Sequence, residues 1–299
     1  MAFDAMSRWP QLWDCLEAAT GQRLHDGKAI AVGGGSINEA YVWQHSTQRL
    51  FIKFNQPERE AMFRAEALAL KALAQVQAVR VPAPILWGSL EGASFLVLEY
   101  LPLTSHGDWR QMGVKLAQLH RQGQGDRYGW SENNTIGATP QINPWSDNWG
   151  EFFRDARLRY QFDLARRRGG VFPQAEALLE QVSHWLNHQP VPTLVHGDLW
   201  SGNAAFIRGG DPVIFDPASY YGDREVDLAM TELFGGFPRA FYDGYTATYP
   251  LAAGYEQRKT IYNLYHILNH FNLFGGSYGA QAERMMAQIL HSKTGVSGH

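Results

Sequence analysis

Two carboxylates and a carboxamide lie close together in a part of the chain poor in lysine. The stretch LVHGDLWSGN covers residues 194–203, and DPVIFDPASYYGD follows at 211–223. Asp198 precedes Asn203 by five positions, and Asp216 ends the apolar run PVIF. Carboxylate and amide oxygens in this arrangement are hard donors of the kind that hold a small divalent cation. A carboxylate among them can also accept a proton from an attacking hydroxyl. Any one acid in such a loop is commonly a turn former or a helix cap. The ordered set argues for chemistry.

The spacing H-x-D-x-x-x-x-N is that of the loop in which protein kinases place a catalytic base and a metal-binding asparagine, with a second metal-binding acid further on. His196, Asp198 and Asn203 keep the spacing, and Gly197 stands where that pattern has arginine. On this reading Asp198 is the catalytic base, and Asn203 and Asp216 are ligands of Mg²⁺. His196 braces the loop. Asp227, in DREVDLAM, caps the helix it begins or braces the catalytic loop by accepting backbone N–H bonds.

A nucleoside triphosphate needs further partners, and the first third of the chain offers them. AVGGGSIN (31–38) is a glycine-rich turn between two strand-like runs, so Gly33, Gly34, Gly35 and Ser36 could bring backbone N–H groups to phosphate oxygens. It is not a Walker loop, because no G-K-[ST] follows, and by itself it reads as a hairpin turn. Lys53 lies inside the strand LFIKF, and Glu66 follows thirteen residues later within the helical FRAEALAL. A strand lysine paired with a helix glutamate can present its ammonium to two phosphates of ATP.

The elements that must position these residues show in the hydrophobic pattern. KAIAVGGG, EAYVWQH and RLFIKF read as short strands. PEREAMFRAEALALKALAQV (57–76) opens with a proline and early acids and continues with apolar residues at helical spacing. SFLVLEYLP (94–102) is an apolar strand ending at a proline, a natural boundary between lobes. Helical patterns follow at 109–123, 149–168, 173–188, 224–234, 254–274 and 278–291, with a Trp-, Asn- and Gly-rich connector at 128–150. That connector is too long to be a mere turn, and long ordered loops are often functional. The chain thus divides into a strand-rich amino-terminal lobe, 1–101, and a larger, mostly helical carboxy-terminal lobe, 102–299.

Composition sets outer bounds. The 299 residues are 45% hydrophobic and 18% charged, with a net charge of −3, which argues against an extended nucleic-acid surface. No apolar run reaches the length of a membrane span, and a single cysteine, Cys15, permits no internal disulfide, so the expected compartment is the cytoplasm. Ten tryptophans are mostly expected in cores. Trp200, Trp145 and Trp149, in or beside loops, are candidates to face a sugar substrate.

With these residues in view, the chain resembles the fructosamine kinase (ketosamine-3-kinase) family, and bacterial members in particular. The resemblance spans nearly the whole chain. It is carried by GGGSINEAY, FIKFN, FRAEALALKAL, FLVLEYL, FFRDARLRYQ, LVHGDLWSGNAAF and VIFDPASYYGDREVDLAM. It implies an α+β, protein-kinase-like, two-lobed fold, and ATP- and Mg²⁺-dependent phosphorylation of the 3-hydroxyl of ketoamines. The unstable product returns the amine, so the implied role is deglycation, with free ketoamines or glycated lysine on proteins as substrate. It makes Lys53 and Glu66 the phosphate-pairing couple, and LEYL (98–101) a hinge in which the Glu99 carbonyl and Leu101 N–H read the adenine edge. Many relatives carry cysteine where this chain has Ser36, so thiol control of that turn is not expected.

Other readings keep some of these features. An aminoglycoside- or choline-type kinase would share the fold but need acids around a cationic substrate. Asp223, Glu225 and Glu232 are nearby in sequence but read as solvated. A non-catalytic nucleotide-binding regulator would be expected to have lost the base or a metal ligand, and this chain retains them. A metal-dependent hydrolase would want a histidine-rich ligand cluster that the sequence lacks.

Overall fold

The computed structural model describes residues 8–21, 27–33, 37–46 and 48–294. It opens with a helix, α1 (Arg8–Thr20), to which the hydrophobic pattern assigned no element. Trp9, Leu12, Trp13 and Leu16 form its apolar stripe, and Pro10 sits in the first turn, where a missing N–H costs nothing. Strands β1 (Lys28–Val32), β2 (Glu39–His45) and β3 (Gln48–Asn55) follow, then a short 3₁₀ turn and helix α2 (Glu60–Val76). With β4 (Pro84–Leu90) and β5 (Ala93–Glu99) the strands form an antiparallel sheet of order β1-β2-β3-β5-β4.

Strand β5 reads as an unbroken apolar run because both of its faces are covered. Successive side chains alternate between faces. Phe95 and Val97 join the cluster that contains Leu12 and Leu16 of α1. Leu96 and Leu98 join Phe63, Leu70 and Leu73 of α2 on the other side. The sheet is therefore clamped between two helices. The register Lys53↔Leu96 sets Lys53 in the middle of it.

The rest of the chain is mainly helical. After β6 (Leu103–Thr104) and α3 (Trp109–Gln122), the long connector carries a small hairpin, β7 (Asn134–Ile136) and β8 (Thr139–Gln141). The helix expected over 149–168 is present as α4 (Trp149–Phe152), a π-helical segment (Phe153–Arg159) and α5 (Tyr160–Arg167). Helix α6 (Ala175–Trp185) precedes four short strands, β9 (Thr193–Val195), β10 (Ala204–Ile207), β11 (Pro212–Ile214) and β12 (Tyr220–Gly222). Then come α7 (Glu225–Leu233), α8 (Arg239–Thr248), α9 (Tyr255–Phe274) and α10 (Ser277–Thr294). The pairs β9–β12 and β10–β11 flank the loop that contains Asp198, and Asp216 lies between β11 and β12.

Helix α8 was not legible in sequence, since RAFYDGYTAT is rich in weak helix formers. It forms by packing on α3. A Cβ on Gly113 would lie 2.0 Å from the Phe241 carbonyl oxygen, and one on Gly244 would lie 2.2 Å from that of Arg110. Glycine at both crossing points lets the two backbones touch. The architecture is the α+β, protein-kinase-like one that the resemblance implied. Among the described residues, no helix is long and apolar enough to cross a membrane.

Candidate active site

The loop after β9 is held from below by a buried carboxylate. Asp227 Oδ2 accepts the N–H of His196 at 2.7 Å, and Oδ1 accepts that of Gly197 at 2.8 Å. Of the two roles expected for Asp227, the loop-bracing contact is the one present. Burial alone would raise its pKa, but the hydrogen bonds it accepts from His120 and the Gly197 N–H hold it below the usual carboxylate range. His120 Nε2 lies 3.0 Å from Oδ2 and Nδ1 lies 2.8 Å from the Tyr245 hydroxyl. The carboxylate needs a donor, so the network assigns the proton to Nε2 and lets Nδ1 accept from Tyr245.

Gly197 adopts φ +83°, and a Cβ there would sit 2.2 Å from the Ala218 carbonyl oxygen. Only glycine fits both demands. Its neighbour His196 is fully buried; Nε2 lies 2.9 Å from the Phe215 carbonyl and Nδ1 accepts the Asp198 N–H at 3.3 Å. Burial lowers its pKa, so it stays neutral and braces the loop.

Above this base, four predicted residues converge. Lys53 Nζ lies 2.7 Å from Glu66 Oε1 and 2.6 Å from Asp216 Oδ1. Burial would lower the lysine pKa, but Asp216 and Glu66 outweigh it and keep the ammonium charged. Burial pushes the Glu66 carboxyl up in spite of Lys53. Asp216 adopts a left-handed φ of +56°, uncommon for a non-glycine residue, which is a conformation often kept at functional positions. Burial, and then the facing charge of Asp216, pushes the Asp198 carboxyl up to about 7. A carboxylate with that value is matched to proton transfer near neutral pH.

The donors present suit a hard divalent cation. Asn203 commits its amide nitrogen to the Asp198 carbonyl at 2.8 Å, which leaves its carbonyl oxygen to a ligand. Asp216 spends one oxygen on Lys53 and has the other, on a side chain 47% exposed. Together they offer oxygen ligands and negative charge, the set Mg²⁺ takes alongside phosphate.

These residues line a cleft of about 450 Å³ between the sheet and the helical part. Gly33, Asn38, Lys53 and Glu66 face it from one side and Asp198, Asn203 and Asp216 from the other. Gly34, Gly35 and Ser36 lie outside the described residues. Glu99 ends β5, its N–H donating to the Ala83 carbonyl and its carboxylate paired with Arg80. Among the described residues that line the cleft, neither Glu99 nor Leu101 appears.

The tryptophans divide. Trp200 lines the cleft, is 39% exposed and lays its ring over Gly202. Trp149 does not line the cleft. It is buried in the core among Tyr128, Phe152, Phe153 and Tyr262, with its indole N–H on the Tyr262 hydroxyl at 3.0 Å. Trp145 is exposed, its ring tilted toward that of Tyr221, and it is not among the residues lining the cleft. The connector's contribution comes instead from Asn134, Thr135 and Gly137. Nor are the nearby acids all solvated. Asp223 is buried against His188 and Tyr262, Glu225 is buried against Arg258, and Glu232 pairs with Lys259. His188, Asp223 and Glu225 come close enough to suggest a metal cluster, but the acids already have these partners.

Several contributors escaped sequence reasoning. His120 reaches Asp227 from α3, and Tyr245 on α8, over 100 residues further along the chain, reaches His120. Arg157, on the π-helical segment, is fully buried and donates to the Ile142 carbonyl at 2.6 Å and Asn143 Oδ1 at 2.8 Å, with its guanidinium 4.0 Å from the Tyr220 ring centre. The asparagines of ENNTIG were the visible signal for the hairpin, because buried amides in a loop need partners.

Comparison with known proteins agrees with this geometry. A family model described as fructosamine kinase matches residues 8–292. A Synechocystis protein named as a probable ketoamine kinase is 52% identical over 293 residues, which cover 97% of this chain and 99% of that one. The chloroplastic protein-ribulosamine 3-kinase of Arabidopsis thaliana is 40% identical over 97% of this chain and 90% of its own length. A crystal structure of a protein assigned as a fructosamine-3-kinase, from Haemophilus somnus, superposes with a TM-score of 0.89 at 32% identity, covering 95% of this chain and 98% of that one. Bracing carboxylate, paired lysine, loop aspartate and near full-length similarity lead to one assignment: the chain belongs to the fructosamine kinase family.

Proposed function

We propose that the protein is an ATP-dependent kinase that phosphorylates the 3-hydroxyl of ketoamines, with Mg²⁺ as its metal. One observation carries the reading: Lys53 Nζ is held between Glu66 and Asp216 in a cleft that also contains Asp198. Residues 1–101 form the nucleotide lobe, and the chain crosses at 98–101, where the Glu99 carbonyl and Leu101 N–H read the adenine edge. Lys53 pairs with the phosphates while Glu66 keeps the ammonium in place. Asp198 accepts the proton of the attacking hydroxyl, and its loop cannot drift because Asp227 holds the two preceding N–H groups. Asn203 and Asp216 would hold Mg²⁺, which neutralises charge on the transferring phosphate. Most of the rate then comes from alignment and charge neutralisation, as is general for phosphoryl transfer.

The acceptor wall includes Trp200, whose ring suits the C–H face of a sugar. The product 3-phosphate breaks down and releases the amine, which makes the reaction a deglycation step for free adducts or glycated lysine on proteins. An aminoglycoside-type reading fits less well, because Asp223, Glu225 and Glu232 are committed elsewhere. The test is ATP consumption against free fructosamines, ribulosamines and aminoglycosides, with the product identified by NMR. Ketoamine-dependent ADP release with a 3-phosphate product is expected. Turnover confined to aminoglycosides, or none with any acceptor, would overturn the reading.

A further inference from the structure

The connector hairpin is an unexpected wall of the cleft, and its construction separates support from recognition. Asn134 is saturated within the protein. Its amide nitrogen donates to the Ser219 carbonyl at 2.9 Å, and its oxygen accepts from Gln141 at 2.9 Å and Asn143 at 2.8 Å. Gln141 also donates to the Ala218 carbonyl at 3.0 Å, and Ala218 N–H returns to the His196 carbonyl at 2.9 Å. The hairpin base is therefore fastened, through buried amides, to the segment after Asp216 and to the loop of Asp198. At its tip, a Cβ added to Gly137 would lie 3.4 Å from the Ile37 side chain. Beside it, Glu132 pairs with Arg64 on α2.

Thr135 lies between these fixed points. On β7, Asn134 and Ile136 are buried, and the two-residue alternation of a strand turns Thr135 the other way. It lines the cleft with Asp198 and Trp200, and among the described residues no hydrogen bond within the protein engages its hydroxyl. We infer that Thr135 is a specificity-determining residue whose hydroxyl binds a hydroxyl of the acceptor sugar, on a hairpin rigidly tied to the catalytic loop. A neutral hydroxyl can donate and accept, which fits a polyhydroxylated acceptor and gives a bare cation little. The inference rests on the proposed ketoamine kinase activity and names a contact within that site.

The test is steady-state kinetics of the full-length protein with fructosyl-lysine as acceptor, comparing Thr135→Val, which keeps the shape, and Thr135→Ser, which keeps the hydroxyl. Loss of one neutral hydrogen bond should raise the ketoamine KM about 5–10-fold in Thr135→Val. The KM for ATP and the urea midpoint should not move, and Thr135→Ser should recover most of the affinity. A ketoamine KM unchanged in Thr135→Val, or ATP and ketoamine KM rising together, would overturn the assignment while leaving the activity itself intact. If Thr135→Val is destabilised, the serine variant decides: a ketoamine KM as high as that of the valine variant refutes a role for the hydroxyl. Failure of the unmutated protein to turn over fructosyl-lysine would instead refute the proposed function, and this assignment with it.

Discussion

Replacing Lys53 by methionine tests the electrostatic centre of the cleft without any substrate. The side chains of Lys53 and Glu66 are 7% and 11% exposed, whereas that of Asp216 is 47% exposed. At 2.7 Å and an effective dielectric of 20, the gross attraction of Lys53 and Glu66 is about 6 kcal/mol. Much of it is offset by desolvation of both groups, so the useful quantity is the cost of leaving one partner behind, about 3–5 kcal/mol for a buried pair. The two single substitutions are then unequal. Lys53→Met strands Glu66 away from water, whereas Glu66→Gln leaves Lys53 its contact with Asp216 at 2.6 Å. Lys53→Met should cost about 3–5 kcal/mol at pH 7 and Glu66→Gln about 1 kcal/mol. The double variant should be more stable than Lys53→Met alone. The sign with pH follows: burial raises the folded pKa of Glu66, so Lys53→Met binds a proton more readily folded than unfolded and regains stability as pH falls. Urea unfolding of the four proteins at pH 5 and 7, without nucleotide, measures all of this. A Glu66→Gln cost equal to or above that of Lys53→Met, or strictly additive effects, would refute the reasoning.

Asp198→Asn should reduce turnover by roughly two orders of magnitude or more with ATP affinity nearly intact; near-normal turnover would remove Asp198 from the mechanism. Because only the ionised carboxyl accepts a proton, kcat/KM of the unmutated enzyme should rise with pH through the region below about 7, where burial has placed Asp198. A flat profile over that region would contradict the role. Asp216→Ala should abolish Mg²⁺-dependent turnover, since Asn203 alone supplies no charge; robust activity with the same metal dependence would count against it. Trp200→Ala should raise the ketoamine KM far more than that for ATP. Equal changes in both, or a collapse of thermal stability, would mark the ring as structural.

The parts of the molecule legible in sequence were those with local signatures. The helix patterns from 57–76 onward and the apolar strand of β5 have their own periodicity, so they are found near their expected places. The Asp198–Asn203 spacing and the Lys53–Glu66 pair were legible because phosphate chemistry demands particular residue types. What escaped was non-local. Helix α8 exists because Gly113 and Gly244 let it meet α3, and no window of RAFYDGYTAT contains that fact. His120 reads as one more helix residue until Asp227 and Tyr245 close around it. Trp149 misled for the same reason: a loop-edge indole is a ligand face or a core plug depending on which residues come to cover it. Here Tyr128 and Tyr262 do.

The buried arginine has a consequence for how the molecule assembles. Among the described residues no carboxylate pairs with Arg157, so carbonyl and amide oxygens and aromatic faces must take the place of its water. Two of those oxygens belong to Ile142 and Asn143 of the connector, outside the helix that carries the charge. The connector thus supplies hydrogen-bond acceptors that Arg157 needs once it is cut off from water, so closing the core around the guanidinium is coupled to laying the connector down. The hairpin wall and the helical core are thereby one cooperative folding unit. Docking the acceptor wall therefore favours closure of the helical core, and closure of the core favours the wall.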